Sequence, residues 1–281
     1  MVTADGRSRV RLPDGRALDV WQGGDPDGSP VLFLHGTPGG RLQGALGDGA
    51  AARVGVRLVS FSRPGYGGST DAATTLASVA RDAGQLADTL GIGSFAVLGV
   101  SGGGPYAVAT GAVLPHRVRA VGVVAGVGPL LELDPGSAAG AAVRAAVAGD
   151  HDGAITLQDA TVTATAAAAA RRGAGARGFS SPEILEPWTP SGRPGLPSYR
   201  GASRDSLAFA VGWDIDLEAV TAPVWLWYGD HDQQVPLEHG RWLHERLPTS
   251  TLVVREGAGH LATLMPYWRD MLATLTRDRS G

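Results

Sequence analysis

The chain contains no cysteine and no lysine: all 24 of its basic residues are arginine. Without thiols there can be no disulfide, no thiolate nucleophile and no cysteine-ligated metal, although this leaves the compartment open. Without lysine the phosphate-cradling Gly-x-x-x-x-Gly-Lys-Ser/Thr loop lacks its cation, so a P-loop is excluded; the arginine-only usage itself reads as composition. No Gly-x-Gly-x-x-Gly opens a first strand-helix unit, and no His-x-x-x-His or carboxylate cluster offers metal-ligand spacing, so neither a cofactor nor a metal is expected. A formal charge of -3, with the basic residues scattered, gives no general attraction to nucleic acid or to anionic membranes, and neither is expected as a partner. Long apolar runs are also missing. The nearest approach, 160–170, is alanine and threonine around Val162, too short and too small-chained to span a bilayer, and reads as a soluble helix. The first twenty residues carry Asp5, Arg7, Arg9, Arg11, Asp14, Arg16 and Asp19, which leaves no room for the apolar core of a secretion signal; the expectation is a cytoplasmic protein.

What is present is a chain of 281 residues, 43% apolar, sufficient for one large domain with a sizeable core or for a core with an inserted subdomain. Val10 to Leu12 and Ala17 to Trp21 flank Pro13-Asp14-Gly15-Arg16 and predict an opening hairpin. Val31 to Leu34, Val56 to Val59, Phe95 to Val100, Val118 to Val124, Val224 to Tyr228 and Thr251 to Val254 are short β-rich apolar runs of the kind buried on both faces. Helical patterns separate them, clearest at Leu76, Val79, Ala80, Ala83, Leu86, Ala87 and Leu90, ending at Gly91. The alternation predicts a mostly parallel sheet with helices on both faces and ligands beyond the carboxyl ends of the strands. This rhythm stops between Pro129 and Trp213. We divide the chain into a core of residues 1–129 and 214–281 and a cap or lid at 130–213, with helical patches near Ala138 to Ala148 and Leu157 to Arg172. Phe179, Trp188, Tyr199, Phe209 and Trp213 are more aromatic content than a disordered linker carries.

In Gly99-Val100-Ser101-Gly102-Gly103 a buried strand meets a glycine-flanked serine and turns into a helix, the pattern of a nucleophile elbow. The pentapeptide alone is weak: with 42 glycines and 17 serines, chance supplies about 0.4 matches in a chain of this length. Its placement carries the argument. A serine hydroxyl needs a base and a carboxylate to orient that base. His260, on the glycine-rich loop Glu256-Gly257-Ala258-Gly259 after the last predicted strand, is the candidate base. His116, His151, His239 and His244 read as solvated, and His231 is the remaining decoy. Asp232, four residues beyond the Val224 to Tyr228 strand, is the candidate acid, whereas Asp230, nearer the strand, is expected to brace the turn. An acyl-transfer oxyanion needs fixed backbone donors, for which Gly102 and Thr37 of His35-Gly36-Thr37-Pro38 are the candidates, Pro38 having no N–H. His35 is expected to hold its loop by a hydrogen bond rather than to act on substrate.

Together His-Gly-Thr-Pro-Gly-Gly at 35–40, Ser-Arg-Pro-Gly-Tyr-Gly-Gly-Ser at 62–69, Gly-Val-Ser-Gly-Gly-Gly-Pro at 99–105, Gly-Asp-His-Asp-Gln-Gln-Val-Pro at 229–236 and Gly-Ala-Gly-His at 257–260 resemble the α/β-hydrolase superfamily. The resemblance implies an eight-stranded, mostly parallel α/β-hydrolase sheet with an inserted helical cap, Ser101 as nucleophile, Asp232 and His260 as its partners, and Thr37 with Gly102 as oxyanion hole. It makes 62–69 a structural turn with Tyr66 near the pocket. Serine rather than aspartate at 101 argues against haloalkane dehalogenase and epoxide hydrolase chemistry. Leu261 after the histidine, and Gly102 after the nucleophile, depart from the tryptophans usual in meta-cleavage hydrolases and proline iminopeptidases respectively. The expectation is a cofactor-free serine hydrolase acting on a small to medium carboxylic ester, lactone or amide, with a small-molecule acyl substrate contacted by Tyr106, Trp188, Phe209 and Trp213. The alternatives are a hydrolase-fold enzyme of a biosynthetic cyclisation, lyase or acyl-transfer step, and a hydrolase-like ligand receptor.

Overall fold

The computed structural model describes residues 5–138, 140–150, 152–160 and 200–277. Eight strands form one sheet: β1 (Arg7–Arg11), β2 (Ala17–Gly24), β3 (Ser29–Leu34), β4 (Val56–Phe61), β5 (Phe95–Val100), β6 (Val118–Val124), β7 (Val224–Gly229) and β8 (Ser250–Arg255), in the order β1-β2-β4-β3-β5-β6-β7-β8. Each predicted run is a strand. The β1–β2 turn closes through Gly15, whose φ of 89° is the left-handed geometry that glycine tolerates best, with Leu12 N–H bonded to Arg16 O at 2.8 Å. β2 pairs antiparallel with both β1 and β4, and the remaining pairs are parallel, with Val31 opposite Leu58 on one side and Ala96 on the other.

Period-two alternation sends successive residues to opposite layers. Leu32, Leu34, Val59, Phe61, Phe95, Val97, Val121 and Val123 face one cluster, with α2 (Leu76–Thr89), α3 (Gly104–Val113) and α6 (Leu237–Arg246). Val31, Phe33, Val56, Leu58, Ala96, Leu98 and Val124 face the other, covered by α1 (Asp48–Arg53) and α7 (Trp268–Leu275). A sheet covered on both faces is why its central strands read as continuous apolar runs.

Between β6 and β7 the regular elements among the described residues are helical, with single turns at Leu130–Leu133 and Pro135–Ala138, then α4 (Ala141–Val147), residues 152–160, and α5 (Arg200–Ala210). Ala142, Val143, Ala146, Ile155, Leu207 and Ala210 make a small core of their own here, apart from the two sheet layers. The first predicted helical patch contains α4, and most of the second lies outside the described residues.

The strand order places a topological switch at β3. From β3 the chain moves outward to β4, then returns to the other side of β3 as β5, so the loops leaving the carboxyl ends of β3 and β5 diverge and open a crevice between them. Thr37 and Ser101 lie on those two loops.

Candidate active site

Ser101 follows β5 directly and has φ of 52°, a left-handed conformation that a non-glycine residue rarely adopts. A single turn of 3-10 helix, Ser101–Gly103, then runs into α3. The flanking glycines are sterically required. A Cβ on Gly99 would stand 2.2 Å from Gly103 O, and one on Gly103 would stand 2.1 Å from Leu34 O. Strand, turn and helix therefore pass closer together than any side chain allows, and the serine is left at the crest.

Across the crevice, Gly102 packs on Thr37. A Cβ on Gly102 would lie 2.1 Å from Thr37 Oγ1 and 3.1 Å from Thr37 N, so the two backbone segments lie side by side. Thr37, Ser101 and Gly102 line one cleft of about 500 Å³. Val127, Leu130, Leu133, Phe209 and Val235 supply its apolar wall, and Asp134, Ser206, Gln233, Gln234 and His239 its polar one.

The acid and histidine loops are laced together beyond β7 and β8. His231 N–H donates to Ala258 O at 3.2 Å and Gly257 N–H to Asp230 Oδ1 at 2.7 Å, so Asp230 braces the turn. Asp232 Oδ1 accepts from the Gln234 and Val235 N–H groups at 2.8 and 3.0 Å, which turns Oδ2 toward His260. His260 Nδ1 meets Asp232 Oδ2 at 2.7 Å, with the aspartate side chain fully buried and that of His260 9% exposed. A proton on Nδ1 is fixed by that carboxylate, leaving Nε2 as the basic nitrogen. Burial opposes ionisation of Asp232, but the His260 hydrogen bond and the two N–H donors outweigh it and hold its pKa below the usual carboxylate value. His231 is exposed and engages through its backbone.

His35 is wholly buried and holds its loop. Its Nδ1 bonds Gly36 O at 2.8 Å while Nε2 accepts from Arg63 N–H at 3.1 Å, which sets the neutral tautomer. Burial first, then the Arg63 charge, hold its pKa well below the normal histidine value.

Three sequence expectations need correction. Tyr106, expected at the substrate site, is fully buried beneath it: Gly104 to Gly111 of α3 are all buried, and the phenol donates to Asp205 Oδ1 at 2.6 Å. Trp213 does not line the cleft; its ring packs edge-on against Trp242 at a centroid distance of 5.8 Å. His239 is buried rather than solvated, lines the cleft, and accepts the Gly128 N–H at Nδ1 (2.9 Å). Phe209 does line the cleft, and Trp188 lies outside the described residues.

Sequence reasoning passed over Asp205. This α5 carboxylate is buried, pairs with the equally buried Arg63 at 2.6 Å, and accepts from the hydroxyls of Thr37, Tyr66 and Tyr106. Burial and then the Asp205 charge raise both tyrosine pKa values well above normal, so both remain donors. The one local signal was Arg63 within Ser-Arg-Pro-Gly; nothing near Asp205 distinguishes it from a surface helical residue.

Residues 29–264 match the family model described as alpha/beta hydrolase fold, and the chain belongs to that family. Its structure is similar to an alpha/beta hydrolase fold protein from Nakamurella multipartita (24% identity, 96% of this chain and 98% of that one, TM-score 0.66). It is similar also to the enol-lactonase from Burkholderia xenovorans LB400 (18% identity, 96% and 100% covered, TM-score 0.67). A third similar structure is an esterase from Exiguobacterium antarcticum (20% identity, 96% and 99% covered, TM-score 0.67). None of the curated proteins compared with the chain matches it. Among the described residues no three His, Asp or Glu side chains are grouped to hold a metal, and no helix is long and apolar enough to cross a membrane.

Proposed function

We propose that the protein is a serine hydrolase that cleaves a small to medium carboxylic ester, or a lactone or amide, through an acyl-enzyme on Ser101. The observation that carries this reading is the pairing of His260 with the buried Asp232 at 2.7 Å, on loops leaving the same sheet edge as the strained serine. In this mechanism Ser101 Oγ attacks the acyl carbonyl as His260 Nε2 takes its proton. Asp232 keeps the imidazole in the required tautomer and balances its charge. The oxyanion is received by the Thr37 and Gly102 N–H groups. His260 then returns the proton to the leaving group, and water, activated by the same histidine, releases the acid.

Residues 130–213 serve as a cap over a core of 1–129 and 214–281. Leu130, Leu133, Ser206 and Phe209 from that stretch line the cleft together with Ser101, which supports a substrate held between cap and sheet edge. The mixed apolar and polar lining fits a modest acyl group bearing polar substituents.

The test is hydrolysis of p-nitrophenyl acetate and butyrate, together with mapping of the residue modified by a fluorophosphonate probe. The expected results are modification of Ser101 and a fall in kcat of at least about a hundredfold in Ser101→Ala. A smaller loss, or modification elsewhere, would overturn the mechanism.

A further inference from the structure

Asp205 is held by more donors than any ordinary helix–core contact requires. Its carboxylate accepts from Arg63 Nη2 at 2.6 Å and Nε at 3.4 Å, Tyr66 Oη at 2.6 Å, Tyr106 Oη at 2.6 Å and Thr37 Oγ1 at 2.5 Å. Arg63 is fully buried and Asp205 is 1% exposed, so each charge depends on the other for compensation. All four partners lie in the core, whereas Asp205 comes from α5, within the stretch between β6 and β7.

We propose that Asp205 is a positioning residue of the oxyanion hole: through Thr37 and Arg63 it fixes the peptide plane that presents the Thr37 N–H to the developing oxyanion. This inference rests on the serine-hydrolase reading of the cleft.

The geometry works on both sides of residue 37. The Thr37 hydroxyl donates to Asp205 and accepts from Arg63 Nη2 at 3.2 Å, so its proton is committed away from the cleft and the backbone N–H is left as the donor to substrate. That N–H belongs to the same planar peptide unit as the Gly36 carbonyl and points opposite to it. Gly36 O accepts from Arg63 Nη2 at 3.2 Å and is bonded by His35 Nδ1 at 2.8 Å, while Arg63 Nη1 donates to His35 O. Anchoring the carbonyl thus aims the N–H. Arg63 keeps this position because Asp205 holds its other edge.

Charge and geometry make opposite predictions here. Removing a negative charge beside a developing oxyanion should by itself help the reaction, and would leave Arg63 to attract it. A positioning role predicts a loss.

The experiment is a double-mutant cycle of Asp205→Asn and Thr37→Val, with turnover of p-nitrophenyl butyrate expressed per active site titrated by fluorophosphonate, so that unfolded protein does not count. Valine keeps the N–H and the shape of threonine but removes the hydroxyl. The expected result is a roughly ten- to hundredfold fall in kcat for Asp205→Asn with KM changed less than about threefold. In the Thr37→Val background the same substitution should cost a smaller factor, since only the part carried through Arg63 to the Gly36 carbonyl remains. Tyr66→Phe, which removes one donor and leaves the ion pair, is the milder variant should Asp205→Asn not fold; its several-fold loss should likewise shrink in Thr37→Val. A loss of equal factor in both backgrounds, or an unchanged kcat per titrated site, would overturn the role of Asp205 while leaving the serine-hydrolase reading intact. Failure of the wild-type protein to be modified at Ser101 would remove both.

Discussion

Gly102 shows how much of this site is decided by single atoms. Its neighbour Thr37 is held from two sides, by Asp205 and Arg63, so it has little freedom to retreat from a Cβ that would approach its own Cβ to 2.7 Å. Gly102→Ala is therefore expected to displace one or both proposed oxyanion donors, lowering kcat by about ten- to a hundredfold with a small change in KM. Steady-state kinetics per titrated active site checks this, and an unchanged kcat would mean that the donors lie elsewhere. At the same scale, reach separates the two aspartates: Asp232, three residues beyond β7, can fold back over the sheet edge, and Asp230, next to the strand, cannot. The structure pairs Asp232 with His260 and turns Asp230 onto the Gly257 N–H. An aromatic early in the helix that follows Ser101 looks the same in sequence whether the helix exposes or buries that face, and only the structure places Tyr106 in the interior.

At the scale of elements, α2 shows how much local sequence does. Thr75 Oγ1 accepts the Ser78 N–H at 3.1 Å, and Thr75 N–H donates to Ser78 Oγ at 2.9 Å, a reciprocal cap at the start of the helix. Behind it Leu76, Val79, Ala80, Ala83, Leu86 and Ala87 turn one face to the sheet. Thr75→Ala is expected to lower unfolding free energy by about 1 kcal/mol with kcat unchanged, read from urea midpoints at constant slope. Strands β3 to β8 were equally legible, since each holds a short apolar run, whereas the polar β1 was legible only through the Asp14-Gly15 turn that joins it to β2. The stretch between β6 and β7 was less so: its helices are short, alanine-rich and packed in a small cluster of their own, giving weak periodicity.

For the whole molecule, buried neutral histidine couples folding to pH. His35 has a pKa held well below 6.5 by burial and by Arg63, and that of His239 is lowered chiefly by burial. As pH falls through 6.5 the unfolded chain takes up these protons before the folded protein does, so the unfolded state is favoured by the difference. Stability is full above that pH and declines below it. The urea midpoint is expected to fall between pH 7.5 and 5.5, and to fall less in His35→Asn, which retains a donor toward Gly36. Equal slopes in the two proteins would assign the effect to other groups.

The sequence by itself determined the strand order in time, the glycines of the elbow and the residues at the carboxyl ends of β5, β7 and β8, because these follow from short-range sterics and burial pattern. Only the tertiary structure decided which polar groups meet. Asp205 lies 168 residues from Thr37, 142 from Arg63, 139 from Tyr66 and 99 from Tyr106 along the chain. No local pattern encodes such a convergence: it exists because the helix that carries Asp205 docks above the loops after β3 and β4, where a carboxylate removed from water is stable only with those partners.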